Sequence, residues 1–217
     1  MYPNGVMNSY GNTRQTVSYI RLLHASPGAP AVDVYANSSL IARNLAYRGF
    51  TEYMQILPGR YHVVIFPTGT TGPALVDTEV EVPFKSIITA AVIGIAPNVG
   101  IKAFFEPVLQ IPQGMLYLRF SNLVPDSPEL DLALSNGTML FEGVSYGAAT
   151  NYIAVYPGDY TFTLQQSGTG RRLLYVPNIH LLPGRFYTVY AVGQVAGNTP
   201  LQVLIPLDGN SYIKLQL

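Results

Sequence analysis

The chain has 217 residues, with 12 Lys+Arg balanced by 12 Asp+Glu, 48% hydrophobic residues and no Cys. A formal charge of zero gives no electrostatic drive toward nucleic acid or an anionic membrane. The lack of Cys excludes disulfides, thiolate metal sites and a Cys nucleophile, and the hydrophobic content excludes a disordered chain.

Met1 to Thr16 is rich in Asn, Gly and Tyr and has no basic region followed by an apolar run, so it does not read as a secretory signal. From Tyr19 onward the segments alternate like strands. Tyr19-Ile20-Arg21-Leu22-Leu23 runs into a turn with Pro27 and Pro30, and Val32-Asp33-Val34-Tyr35 follows. Leu40 to Ala46 is the best candidate for a short helix. Tyr61 to Phe66 and Ser86 to Ile93 are rich in β-branched residues, as strands are. Between them, Asp77, Glu79 and Glu81 alternate with Val76, Val80 and Val82, which puts the acids on one strand face. The longest apolar run, Ala90 to Ala96, is broken by Gly94 and falls far short of the ~20 residues that span a bilayer, so no membrane insertion is expected. Pro-Gly, Asn-Gly and Thr-Gly steps punctuate the runs with the rhythm of a sandwich or barrel.

The second half repeats the first. Tyr117-Leu118-Arg119-Phe120 matches Tyr19 to Leu22 at an offset of 98 residues, and Pro125, Pro128 and Asp131 match Pro27, Pro30 and Asp33. One inserted residue moves the offset to 99: Tyr146 then matches Tyr47, Tyr152 matches Tyr53, and Pro157-Gly158 with Tyr160 matches Pro58-Gly59 with Tyr61. Thr188 and Gly193 match Thr89 and Gly94, and Pro206 matches Pro107. Two units of roughly 95 residues have the size of immunoglobulin-like sandwiches. The expected organisation is a leader over 1–16, one sandwich over 17–110 and a second over 115–217, in which Ser211 to Leu217 adds a strand.

His24-Ala25-Ser26-Pro27-Gly28-Ala29-Pro30-Ala31-Val32-Asp33-Val34-Tyr35, with the later Tyr47, Thr51, Tyr53 and Leu57-Pro58-Gly59, resembles the hallmark of a bacterial domain family of unknown function, number 4397. The second copy is degenerate, with Asn122-Leu123-Val124-Pro125 in place of His-Ala-Ser-Pro. The resemblance implies an all-β fold of two tandem immunoglobulin-like (transthyretin-like) β-sandwich domains, in proteins that are usually secreted or held at the envelope. It brings no established activity and no catalytic residues. On it, His24, Pro27, Pro30, Asp33, Pro125, Pro128 and Asp131 are structural motif residues.

Other patterns carry less. Gly143-Val144-Ser145-Tyr146-Gly147 fits the nucleophile elbow of α/β-hydrolases, and Asp159 and His180 follow in hydrolase order. That motif needs a helix after the Ser, and a strand pattern follows instead. His24, His62 and His180 are the only histidines and lack the close spacing of metal ligands. Asp77, Glu79 and Glu81 offer hard oxygen ligands, but a row of acids on a strand is the pattern of a solvated face. Asp126, Glu129 and Asp131 surround a turn and read as turn support. Asn37-Ser38-Ser39 and Asn136-Gly137-Thr138 fit the glycosylation sequon at equivalent turns, where Asn is favoured for backbone reasons. Arg171-Arg172 reads as a hairpin tip.

Charged residues are 11% of the chain, under half the usual ~25%, so the surface resists self-association weakly. The 16 Tyr are amphipathic contact residues. Tyr35, Tyr47, Tyr53 and Tyr61 suit core or corner positions, while Tyr2, Tyr10, Tyr212, Ile213 and Leu215 are candidate subunit contacts. The sequence is therefore read as a non-enzymatic structural protein, without cofactor or metal. It would assemble as a homo-oligomer or filament at a bacterial cell or spore surface, reached after cytoplasmic synthesis without a recognisable signal peptide. The alternative is an adhesion module for a surface protein or glycan, and a Ser145 hydrolase comes last.

Overall fold

The central strands of two of the four sheets alternate between two buried environments, and that alternation builds the molecule. The computed structural model describes residues 17–215. The first repeat contains β1 (Ser18–His24), β2 (Val32–Ala36), β3 (Ser39–Leu45), β4 (Met54–Ile56), β5 (Gly59–Pro67), β6 (Val76–Val82), β7 (Ile87–Ile95) and β8 (Asn98–Phe105). The second contains β9 (Leu116–Asn122), β10 (Leu130–Leu134), β11 (Met139–Val144), β12 (Ala148–Ala149), β13 (Ile153–Val155), β14 (Gly158–Gln166), β15 (Arg171–Leu181), β16 (Phe186–Val192) and β17 (Gln202–Leu204).

Each repeat is a sandwich of two sheets. In the first, sheet β4-β1-β7-β8 covers sheet β3-β2-β5-β6; in the second, β12-β9-β16-β17, with β13 also on β9, covers β11-β10-β14-β15. The topology repeats as the sequence does. β1 lies parallel to β7 with Arg21 beside Thr89, and β9 lies parallel to β16 with Arg119 beside Thr188. Tyr61 and Tyr160 are corner residues, each donating its hydroxyl to the carbonyl four residues upstream, Leu57 and Tyr156.

The period of two explains the layers. Ile20 and Leu22 of β1 and Ile88, Ala90 and Val92 of β7 face the first core, with Val34 and Ile65 from the opposite sheet. Leu116, Leu118 and Phe120 of β9 and Val189 and Ala191 of β16 do the same in the second. The intervening residues face the other way. Leu23, Ala91 and Phe104 of one repeat meet Leu123, Tyr190 and Val192 of the other in a third buried cluster. The two β1-type sheets therefore pack against each other, and the central strands are buried on both faces. Each side chain removed from water in these clusters is worth roughly 1.5–3 kcal/mol for a Leu, Ile or Phe.

Two expectations fail. Leu40 to Ala46 is no helix: Ser39–Leu45 is a strand paired with β2, with register shifts that blur its alternation. Ser211 to Leu217 adds no strand among its described residues: Gly209–Ser211 forms a single 3-10 turn, and Ile213 continues it with its N–H on the Gly209 carbonyl at 2.7 Å. The acids of β6 lie as expected, with Asp77, Glu79 and Glu81 exposed on an edge strand, where charge discourages pairing with another sheet.

Candidate functional site

Two arginines stand at the centre of the seam between the sandwiches. Arg21 and Arg119 occupy the middle of β1 and β9, on the face turned away from their own cores, and only 4% and 3% of their surface is exposed. Each Nε donates to the threonine beside it, Arg21 to Thr89 at 2.8 Å and Arg119 to Thr188 at 2.7 Å. Each Nη1 crosses the seam to a carbonyl of the other repeat, Arg21 to Leu207 at 2.8 Å and Arg119 to Phe105 at 2.7 Å. Each guanidinium lies against a tyrosine ring of its own repeat, Tyr53 at 4.8 Å and Tyr152 at 4.6 Å.

The residue after each of those carbonyls is an acid. Glu106 and Asp208 are structural equivalents, since their N–H groups bind the carbonyls of Ile87 and Phe186, both at 2.9 Å. Asp208 closes the network across the seam: Oδ1 accepts Arg21 Nη2 at 2.7 Å, and Oδ2 accepts Tyr152 at 2.7 Å and Thr188 at 2.5 Å. Glu106 accepts from Tyr53 and from Thr89 at 2.9 Å in its own repeat, and reaches the other repeat only at the Asn210 N–H, at 3.3 Å, and not at Arg119. Arg119 Nη2 is left buried without a partner.

Burial sets the protonation states here. It pushes the phenols of Tyr53, Tyr152 and Tyr190 well above their ordinary range, so Tyr53 and Tyr152 remain hydrogen-bond donors. Burial also raises Glu106, reinforced by Asp208 and opposed by Arg21 and Tyr53. The seam is a clamp of charge-assisted bonds.

The motif residues build the turns beside this seam. Ser26-Pro27-Gly28-Ala29 closes with Ala29 N–H on the Ser26 carbonyl at 3.4 Å and Gly28 at φ +76°, a turn that wants Pro second and Gly third. Pro125 stands in the corresponding turn, closed by Ser127 on Val124 at 3.2 Å. Pro30 supplies its carbonyl to His24 Nε2 at 2.9 Å, while Pro128 is exposed on the equivalent loop. Asp33 accepts the Asn44 N–H at 2.7 Å, the Thr68 hydroxyl and the Gly69 N–H; Asp131 accepts the Gly143 N–H at 2.7 Å.

His24 and its replacement do the same task. Ser26 N–H donates to His24 Nδ1 at 3.3 Å, and Val124 N–H donates to Asn122 Oδ1 at 3.0 Å. The imidazole must then carry its proton on Nε2 and stay neutral. Burial lowers its pKa from the ordinary 6.5, against the pull of the Pro30 carbonyl. Unfolded His24 takes up a proton as pH falls below about 6.5, while the folded residue resists. Its contribution is therefore complete above that pH and fades below it. His24→Asn should flatten this dependence: the difference in urea midpoint between about pH 5 and pH 7.5 should shrink relative to the parent chain. An unchanged difference would show that His24 does not titrate on unfolding.

The other sequence candidates do not converge. The Ser145 hydroxyl donates to Glu129 at 2.7 Å, whereas His180 pairs with Asp159 at 2.7 Å on the β14–β15 hairpin. His62 pairs with Asp77 at 2.6 Å between β5 and β6. Asp126 accepts the N–H groups of Val195 and Ala196 and so supports a loop. Asn37 and Asn136 bind backbone N–H groups at their turns. Arg171 and Arg172 open β15 at the hairpin tip. Tyr212 packs edge-on against Tyr53, with ring centres 6.1 Å apart, and Ile213 and Leu215 are half-buried. Tyr2 and Tyr10 lie outside the described residues.

Two surface clefts were not foreseen. One, of about 480 Å³, lies on the first repeat among Asp33, Tyr35, Arg43, Asn44, Thr68 and Thr70. The other, of about 420 Å³, lies between the repeats and is lined by Lys102, Phe104, Phe105, Arg119, Tyr146 and Ala149. Tyr35 and Tyr146 were visible in the sequence as members of an unusual Tyr set; nothing marked which of them face open space.

No curated protein matches the chain. Among solved structures, it is similar to the Bacillus anthracis TIE protein at 11% identity and TM-score 0.26, over 82% of this chain and 34% of that one. This chain therefore spans about a third of that protein's length. A family 26 carbohydrate-binding module of Eubacterium rectale Amy13K, solved with maltoheptaose, matches at 10% identity and TM-score 0.26, over 88% of this chain and 98% of that one. A streptococcal virulence factor that binds α-glucan matches at 14% identity and TM-score 0.28, over 91% and 99%. Likenesses this distant say nothing about ligand or role. The family match is of another order: the model described as "Domain of unknown function (DUF4397)" fits residues 18–133 and again 116–212, and the chain, with its seam of paired repeats, belongs to that family.

Proposed function

We propose that the protein is a non-enzymatic binding module that works at a bacterial surface and holds a glycan in the cleft on its first repeat. The observation that supports this is the make-up of that cleft. The Tyr35 ring is half-buried and braced edge-on by Phe66, with ring centres 6.0 Å apart. Around it stand the Arg43 guanidinium, the Asn44 amide and the hydroxyls of Thr68 and Thr70. A sugar ring presents an apolar face and a rim of hydroxyls, and a fixed aromatic ring with polar donors and acceptors beside it meets both. Asp33 makes the site rigid, since its carboxylate holds the Asn44 and Gly69 backbones together. The second repeat has buried Ala133 in the place of Tyr35, so the site belongs to the first repeat alone.

A glycan array tests the reading, with Tyr35→Ala as the variant. At least one glycan should bind, and the variant should bind it about tenfold more weakly, roughly the loss of one aromatic contact, with thermal stability unchanged. Binding to no glycan on the array would remove the proposal.

A second reading, self-assembly, has its own support. Leu57 and Phe84 of the first repeat, Tyr156 and Leu182 of the second, and Val108 and Leu109 between them are exposed apolar side chains in loops at the strand ends that the linker joins. Apolar clusters of this kind favour protein contacts. Light scattering of the purified chain, compared with a Phe84→Ser, Tyr156→Ser variant, separates the two readings. A monomer at all concentrations would dispose of assembly and leave glycan binding untouched.

A further inference from the structure

The near-twofold repetition of the seam is broken at three places, and all three concern the surroundings of Arg119. Around Arg21 the space is full. Phe50 stacks on its guanidinium at 4.9 Å, opposite Tyr53, and Asp208 takes its Nη2 at 2.7 Å. Around Arg119 the corresponding positions are changed. Phe50 bridges Leu23, and Ala149 bridges Ser121 in the same way, so Ala149 stands in the place of Phe50. Its small side chain leaves the cleft of about 420 Å³ that Arg119 lines. Glu106, the acid placed to meet Arg119 as Asp208 meets Arg21, is bound instead to Tyr53, Thr89 and Asn210. Lys102, paired with Ala91, stands where Leu204, paired with Tyr190, stands in the other repeat. The result is a cleft with two cationic side chains, one of them, Arg119, only 3% exposed and with its buried Nη2 unpartnered.

We infer that this cleft binds a small carboxylate ligand, whose carboxylate takes at Arg119 Nη2 the place that Asp208 takes at Arg21, with Lys102 at the rim. The twin site gives the reason for a carboxylate over other anions, because the same guanidinium edge at the equivalent position holds one at 2.7 Å. A buried donor with no partner costs about 1–3 kcal/mol, which an arriving acceptor recovers. The volume left beside Ala149 admits a body about the size of a single sugar ring or amino acid. The site is separate from the Tyr35 cleft, and the failure of either leaves the other standing.

Titration of the whole chain with D-glucuronate, acetate, D-glucose and inorganic phosphate, followed by calorimetry or by NMR shifts, tests the assignment. Glucuronate and acetate should bind saturably, and glucose should not. Ala149→Phe, which rebuilds the arrangement around Arg21, should abolish binding. Lys102→Ala, at an exposed position, should weaken it by about tenfold, as for one charge-assisted contact. Both variants are checked for an unchanged thermal midpoint, and Lys102→Ala carries the test if Ala149→Phe does not fold. The inference is overturned if neither carboxylate binds at tens of millimolar, if a folded Ala149→Phe binds as the parent does, if Lys102→Ala binds as tightly as the parent, or if phosphate binds more tightly than glucuronate.

Discussion

Arg21→Met is expected to destabilise the protein by about 3–5 kcal/mol, because it leaves a buried carboxylate without its counter-charge. Asp208 has no exposed surface, and Arg21 is its direct ionic partner at 2.7 Å. The methionine refills much of the volume but supplies no donor to Asp208, Thr89 or the Leu207 carbonyl. Arg119→Met should cost less, about 1–3 kcal/mol, because no carboxylate is paired with that side chain directly. Adding Asp208→Asn to Arg21→Met should recover a good part of the loss, since the orphaned charge is then gone. Urea unfolding of the four proteins supplies the comparison. Equal losses for the two arginine variants would mean that the asymmetry of the seam has no energetic weight.

Gly94→Ala should lose about 2–4 kcal/mol, from strain and a forced backbone shift together. Gly94 sits at φ +99° near the end of β7, opposite Val99 of β8, and a Cβ there would lie 2.1 Å from the Asn98 carbonyl oxygen. The neighbour is backbone and cannot turn aside. Gly193 repeats the arrangement at φ +101°, with the Pro200 oxygen 2.2 Å from the same imagined atom. Gly100→Ala is the control: nothing lies within 4 Å of a Cβ there, and the backbone is not left-handed. A Gly94→Ala protein as stable as the control would refute the account.

These positions show how far the sequence could be read. The 98- and 99-residue offsets already paired Arg21 with Arg119, Thr89 with Thr188, Tyr53 with Tyr152 and Gly94 with Gly193, so the two-sandwich fold and half of the seam were legible. What those residues do together was not. An Arg between Ile20 and Leu22 reads as the solvated face of a strand, and only the packing of a second sandwich on that face reveals a buried charge. Asp208 was hidden by register, since it lies at 208, where the offset of its neighbours points to 205, and in the run-up to a segment whose alternation suggested a strand. The Tyr35 cleft was hidden for another reason. Register shifts between β2 and β3 disturb the alternation of Ser39–Leu45, so Arg43 and Asn44 read as part of a short helix and not as the lip of a hairpin. The fold follows from local pattern; the clefts follow from where the repeats differ.

The bond between Arg21 and Asp208 also orders events during synthesis. The two residues are 187 positions apart, and domains fold as they emerge from the ribosome, the N-terminal one first. β1 must wait for β7 before its parallel pairing can form. When the first sandwich closes, its inner sheet still lacks the carboxylate that Arg21 requires and the carbonyl of Leu207 that shares the task. Until the last residues of the second repeat arrive, the half-made molecule presents an arginine, a threonine and two aromatic rings to water, on a face that is later dry. Docking is then the final step of biogenesis, and a chain truncated before Asp208 would keep that face open to chaperones and proteases.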